Sequence, residues 1–177
     1  FYTNQLALVF EPIKDWRINV EGSVRTTTQY QHWEVLPVYA YDVEGNPYYT
    51  VWDMGYGSYA SGASRVNEYS WKENYYTTNI YSDYFKQFDN GHYFKVMAGF
   101  NAELYKTRSI TGQKNTLLSP DVPTLGTATK DAAVSGGYDH NSVAGFFARI
   151  NWSYKDRYML EVNGRYDGSS RFVGDKQ

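Results

Sequence analysis

The stretch YKDRYMLEVNGRYDGSSRF, residues 154–172, alternates between two kinds of side chain. From residue 158 to residue 166 the even-numbered positions are apolar, aromatic or glycine, whereas the odd-numbered positions include a carboxylate, an amide and a guanidinium. A period of two is typical of a β-strand whose two faces meet different surroundings. A strand of a soluble sandwich turns its apolar face to a core, whereas a strand of a membrane barrel turns it to lipid. Taken alone, the stretch fits both.

The same alternation recurs along the chain, and no long window keeps a helical spacing of apolar residues. We therefore predict an all-β fold, an antiparallel up-and-down meander of about six strands. The pattern is most regular over residues 94–104, where every even-numbered residue is apolar. The predicted strands cover residues 4–11, 16–30, 70–88, 92–108, 141–154 and 157–166.

The connections between these strands alternate in length. Short turns at residues 14–15, 89–91 and 155–156 follow the first, third and fifth strands, and the long loops 31–68 and 109–140 follow the second and fourth. In a meander this places all short turns at one end of the sheet and all long loops at the other. Outer-membrane barrels show that asymmetry, with short periplasmic turns and long extracellular loops.

The composition narrows the class of protein further. The chain has 177 residues, a net charge of −2 and no cysteine, so disulfides and thiolate sites are excluded and nothing favours nucleic acid. Aromatic residues make up 19% of the chain, as suits the girdles at membrane surfaces. Six strands are fewer than the roughly eight of the smallest known barrels. We therefore expect an arc of a larger barrel, cut from a longer protein.

Several long phrases occur in order along the chain: LPVYAYDVEGNPYYT (36–50), HYFKVMAGFNAELYKTRSITG (92–112), SGGYDHNSVAGFFARI (135–150) with AGFFARINWSY (144–154), and the quoted stretch 154–172. Together they resemble the SusC/RagA-like TonB-dependent transporters of Bacteroidota outer membranes. The resemblance covers essentially the whole chain. It implies a 22-stranded barrel in the outer membrane of a Gram-negative bacterium, with an N-terminal plug that is absent here along with the remaining strands.

The resemblance also implies a function and partners for the parent protein. Such a protein imports oligosaccharides, or in some cases peptides, with energy from TonB–ExbB–ExbD delivered through the missing N-terminal part. A SusD-like surface lipoprotein covers its extracellular loops as a lid, and outer-membrane lipid surrounds it. Two alternatives stay open at this point: a soluble carbohydrate-binding β-sandwich module, and a passive porin without a plug.

Aromatic residues crowd the long loop 31–68. Flat rings with polar edges stack on sugars and anchor protein interfaces, so these side chains are candidates for contact with substrate or lid. Packing of the loop against itself is the competing interpretation. The candidates are Trp33, Tyr39, Tyr41, Tyr48, Trp52, Tyr56 and Tyr59.

Charged residues of both signs recur on the polar face of the predicted strands. A wetted wall of mixed sign favours pairing over the selection of one ion, and we predict that this row lines the lumen and contacts the plug. The candidates are Arg17, Glu21, Arg25, Glu103, Arg149, Glu161 and Arg165.

Catalytic and metal-binding patterns find little support in the sequence. His32, His92 and His140 are far apart and show no ligand spacing for zinc. Residues 42–46 resemble the start of a calcium loop, but the later bidentate acid is not evident, so a solvated turn is the better interpretation. We predict no enzyme activity, no metal and no cofactor.

Overall fold

The computed structural model describes residues 1–53, 58–60 and 64–172, and of residues 38–40, 47–53 and 58–60 it describes the backbone alone. No helix among the described residues is long and apolar enough to cross a membrane. The described residues form the strands β1 (Tyr2–Ile13), β2 (Trp16–Val35), β3 (Pro37–Tyr41), β4 (Pro47–Asp53), β5 (Ser58–Ala60), β6 (Arg65–Gln87), β7 (His92–Leu117), β8 (Ala128–Tyr154) and β9 (Tyr158–Ser169).

Six of these strands form one sheet in the order β1-β2-β6-β7-β8-β9. A separate three-stranded sheet, β3-β4-β5, is inserted between β2 and β6. The prediction of an all-β, antiparallel up-and-down meander of six strands is therefore confirmed. In the register of the sheet Leu8 pairs with Val20, and Ile150 pairs with Val162. Even-numbered residues thus pair with even-numbered residues, which keeps each parity on one face across neighbouring strands.

Like the turn between β1 and β2, where Asp15 has a φ of 68°, the two later short turns depend on residues in the left-handed region of backbone conformation. Gly91 has a φ of +87° between β6 and β7, and Lys155 and Asp156 have φ values of 49° and 55° between β8 and β9. The amide of Phe88 donates to the carbonyl of His92 at 2.8 Å and so closes the first of these turns. Glycine and aspartate tolerate this conformation better than most residues, which suits Gly91 and Asp156 to these turns.

Four strands extend into segments for which the sequence predicts loops. β2 and β6 continue into 31–68, and β7 and β8 continue into 109–140, so the connection between β7 and β8 covers only residues 118–127. The physical reason is that alternation of apolar and polar residues marks a strand in the sequence only where one face of that strand is apolar. In these extensions both faces carry many polar side chains, while the backbone ladder continues.

The chain divides into two compact units. Unit 1 comprises residues 1–27, 73–107 and 139–177, and unit 2 comprises residues 28–72 and 108–138. The buried apolar side chains among the described residues are Val35, Val66 and Ala128, and all three belong to unit 2.

Candidate functional site: the polar face of the sheet

Unit 1 reverses the usual relation between polarity and burial. Its even-numbered residues form exposed apolar rows, with 57% of Leu8, 65% of Phe146 and 57% of Leu160 accessible. Its buried residues are polar, and Asp83 and Asn101 are only 5% and 9% exposed. Soluble domains bury large aliphatic and aromatic residues and rarely expose a continuous apolar patch of this kind. The burial pattern therefore favours an apolar medium at the even-numbered face.

The height of the apolar row agrees with the hydrocarbon thickness of a membrane. On β7 the row runs from Phe94 to Leu104, which is eleven residues. At about 3.3 Å per residue and a tilt of about 45°, these residues span roughly 25 Å along the membrane normal. That value equals the height of the apolar band of outer-membrane barrels, about 25 Å.

The odd-numbered face of β2 and β6 holds the first part of a polar network. The Arg17 guanidinium lies 3.1 Å from the Asp83 carboxylate, and the Asn19 amide donates to the other oxygen of Asp83 at 3.5 Å. The hydroxyl of Tyr81 donates to Glu21 at 3.2 Å. Because Asp83 is almost fully buried, these donors replace the water that its charge would otherwise bind.

A second group of polar contacts links β2, β6 and β7. The Glu73 carboxylate accepts a hydrogen bond from Tyr105 at 3.0 Å and another from Arg25 at 3.4 Å. The Arg25 guanidinium also lies 5.1 Å from the centre of the Tyr75 ring, and the Tyr75 hydroxyl donates to Glu103 at 2.6 Å. One arginine and two carboxylates are thus linked across β2, β6 and β7.

A third group of polar contacts covers β8 and β9. Arg149 donates to the Asn163 side-chain oxygen at 2.7 Å and lies 4.0 Å from Glu161. Glu161 also accepts from the amides of Asn151 and Asn163. Arg165 pairs with Asp167 at 2.6 Å on its own strand.

The structure places all seven predicted wall residues on this odd-numbered face, and each has a polar partner there. Their role in contacting a plug remains a prediction. The predicted residues do not include the partners that complete the network. The signal that could have found them is their shared odd parity on two predicted strands. The missed partners are Glu73, Tyr75, Tyr81 and Tyr105.

A concavity of about 580 Å³ opens on the same face. Asn79, Asn101, Glu103, Arg149 and Arg165 all line it. The Asn101 amide donates to the Asn79 side-chain oxygen at 2.7 Å, while the buried Asn101 side-chain oxygen has no hydrogen-bond partner among the described residues. A buried acceptor without a donor is unfavourable, so this position suits a donor supplied from outside the sheet.

The predicted loop aromatics that the structure describes belong to unit 2. Trp33 lies on β2 and is 38% exposed, and Tyr41 ends β3 and is 72% exposed. The backbone register pairs Ala40 with Tyr48 and Trp52 with Tyr59, and Tyr39 lies on β3. Tyr56 lies outside the described residues. Most of the aromatics predicted on a loop are therefore on strands, and their binding role remains a prediction.

A second polar cluster, which the sequence analysis did not predict, lies in unit 2. His32 is 2.8 Å from Glu68 through Nδ1 and 3.1 Å from Glu34 through Nε2, and the Tyr30 hydroxyl also contacts Glu68. The hydrogen bond to Glu68 raises the pKa of His32 above its ordinary value. Burial alone would raise the pKa of Glu68, but the hydrogen bonds from Tyr30 and His32 outweigh it and lower that pKa. Among the described residues, no group of three or more potential ligands has the arrangement of a metal site.

An antiparallel meander with an exposed apolar band about 25 Å high and a hydrogen-bonded polar face is typical of the wall of a transmembrane β-barrel. No protein-family model matches the chain. A stretch of 71 residues, 40% of the chain, is 41% identical to TonB-dependent receptor P26 of Formosa agariphila.

Solved structures with the same fold belong to a transport complex. The RagAB peptide transporter matches 98% of the chain with a TM-score of 0.77 at 17% identity. The RagAB peptide importer in its open-open state matches 98% with a TM-score of 0.78 at 15% identity. At such identities the likeness shows the shared fold. The chain spans 18% of these solved chains and 6% of the Formosa receptor.

The predicted resemblance to SusC/RagA-like TonB-dependent transporters is therefore confirmed. The chain is similar to one segment of such a barrel, and the soluble sandwich alternative does not hold. The proteins it resembles are named as a receptor and a transporter, not as enzymes.

Proposed function

We propose that the chain forms part of the wall of a TonB-dependent importer in the outer membrane of a Gram-negative bacterium. The observation that carries the proposal is the reversed burial of unit 1, in which Asp83 and Asn101 are buried while Leu8 and Phe146 are exposed. The exposed row is a lipid-facing surface, and the polar row lines the lumen. The wall itself performs no covalent chemistry.

The full barrel of this proposal has 22 strands, as the family resemblance implies. The six-stranded sheet has β1 and β9 at its edges. An open edge in hydrocarbon leaves backbone groups unpaired, at several kcal/mol each, so these edges require neighbouring strands. A plug fills the lumen and contacts the polar face, where the predicted wall residues and the unpaired oxygen of Asn101 offer both donors and acceptors.

The cargo is an oligosaccharide or a peptide. The RagAB complex is a peptide transporter, which supports the second class, and the aromatics of β3, β4 and β5 suit either. A SusD-like lipoprotein lid docks over these strands. TonB–ExbB–ExbD supplies the energy through the plug.

The experiment that tests this function is uptake by cells carrying the full-length parent protein. Fluorescent peptide and oligosaccharide digests are supplied to cells with TonB and to cells without it. We expect uptake of one digest that falls to background when TonB is absent. Uptake that persists without TonB would indicate a passive porin, and a parent protein that purifies without detergent would refute the membrane location itself.

A further inference from the structure

A cationic concavity in unit 2 lies on the same parity of residues as the apolar rows. It has a volume of about 610 Å³ and includes Lys72 and Ser70 of β6, Arg108 and Ile110 of β7, and Tyr138 of β8. These five are even-numbered, and the odd-numbered Ser109, Ser135 and Gly137 also border the concavity. The apolar row of β6 begins at Tyr76, and Lys72 lies four residues before it. The apolar row of β7 ends at Leu104, and Arg108 lies four residues after it.

The two cations of this concavity are available to a ligand. Lys72 and Arg108 are exposed, and among the described residues neither forms an ion pair with a carboxylate. The next acid along the even-numbered row of β6 is Glu68, whose oxygens are already bound by Tyr30 and His32. The concavity is therefore positive without internal compensation.

The chemistry of the lining defines the ligand. A guanidinium and an ammonium that share one concavity with the Ser70 hydroxyl suit a phosphate group, which accepts several charge-assisted hydrogen bonds. The exposed Ile110 and Val134 side chains, 55% and 75% accessible, add apolar surface beside the charges. A free phosphate has no apolar part to pack against that surface, whereas an amphiphile does.

We propose that this concavity binds the phosphorylated headgroup of an anionic lipid in the membrane leaflet at that end of the barrel. The proposal rests on the proposed membrane function, because it requires the even-numbered face to meet lipid. Basic residues placed just beyond a membrane-spanning segment attract anionic headgroups, and each contributes a severalfold gain in affinity. The bound lipid thus fixes the depth of β6 and β7 in the membrane.

The test uses the full-length parent protein in detergent, with lipid A in phosphorylated form, the same lipid after phosphatase treatment, and inorganic phosphate as separate probes. Binding is followed by native mass spectrometry and by the shift in thermal midpoint. The double variant Lys72→Gln/Arg108→Gln is compared with Lys114→Gln/Lys130→Gln, which removes the same charge at even-numbered positions farther along β7 and β8.

We expect wild type and the control variant to bind phosphorylated lipid A alike, and the Lys72→Gln/Arg108→Gln variant to bind it about thirtyfold more weakly. Equal binding by both double variants, or equal binding of the dephosphorylated lipid, would overturn the proposal. So would inorganic phosphate that competes with the lipid at equal concentration. A parent protein that needs no detergent would instead refute the proposed function, so the two failures are distinguishable.

Discussion

Arginine substitutions at two alanines test whether the even-numbered face meets lipid. Ala98 is exposed on β7, one residue from Gly99, the centre of the apolar row 94–104. Ala144 is exposed at the end of the corresponding row 144–154 on β8. At about 2.3 Å of depth per tilted residue, Ala98 lies roughly 2 Å from the midplane of the membrane and Ala144 roughly 12 Å from it.

Depth determines the expected loss of stability. An arginine on the lipid face is unfavourable by about 2–4 kcal/mol at the midplane and by about 0–1 kcal/mol near the interface. We therefore expect Ala98→Arg to destabilise the parent barrel by about 2–4 kcal/mol and Ala144→Arg by no more than about 1 kcal/mol. The assay is the denaturation midpoint of the full-length protein in lipid vesicles, together with its fraction assembled in the outer membrane.

A variant of the neighbouring residue provides the control for face. Met97 is adjacent to Ala98 but lines the polar concavity of unit 1 together with Glu103, so Met97→Arg places the same cation on the wetted side. We expect that variant to stay within about 1 kcal/mol of wild type. Asn101 is unsuitable for this purpose, because it is only 9% exposed and hydrogen-bonded to Asn79. If Met97→Arg were as harmful as Ala98→Arg, or if the two alanine variants behaved alike, the assignment of the faces would be wrong.

Two further predictions concern the polar clusters. Asp83→Asn leaves Arg17 without its carboxylate and should lower the stability of the parent barrel by about 1–3 kcal/mol. Arg165→Gln removes one partner of a largely exposed ion pair and should change the stability by no more than about 1 kcal/mol. Thermal midpoints in detergent compare the two variants, and an equal effect would contradict the ranking. The raised pKa of His32 stabilises this cluster fully below the ordinary His pKa of 6.5, and the stabilisation is lost as the pH rises through the raised pKa. The lowered pKa of Glu68 acts in the opposite direction. Its stabilisation is present above the ordinary Glu pKa of 4.5 and is lost as the pH falls through the lowered pKa. The measurement is the rate of amide exchange around His32 on β2, divided by the rate in a His32→Gln variant at the same pH. This ratio should be lowest between pH 4.5 and 6.5. A ratio that does not change with pH would refute the coupling.

The sequence predicts the two faces of unit 1 well, because the alternation of even- and odd-numbered residues along one strand can be read without knowing how the strands pair. The odd-numbered positions of the quoted stretch and of residues 92–108 carry the polar side chains that the structure places in one network. The partners of those side chains depend on register, which is set by pairing between distant strands. That Tyr75 would donate to Glu103, or that Asp83 would hold Arg17, therefore does not follow from periodicity.

The ends of the strands were harder to predict than their centres for a related reason. The alternation of apolar and polar residues reports that one face of the strand is apolar, not the presence of a β-ladder. It fades where both faces become polar, as at Tyr30 and His32 on β2, although the strand continues to Val35. The three-stranded sheet β3-β4-β5 was missed because its prolines and its many aromatics on both parities suggest a loop with binding residues.

The reversed burial of unit 1 also bears on what stabilises the barrel wall. A soluble sheet gains most of its stability from apolar area removed from water, but the described part of unit 1 has no buried apolar side chain and holds Asp83 and Asn101 at its least accessible positions. In the proposed barrel wall, the apolar rows gain stability only when lipid covers them, and the polar network contributes only when donors and acceptors are matched. The proposed wall therefore needs lipid on one face and a matched polar partner on the other, and the unpaired oxygen of Asn101 at the concavity is the position where the proposed plug would supply a donor.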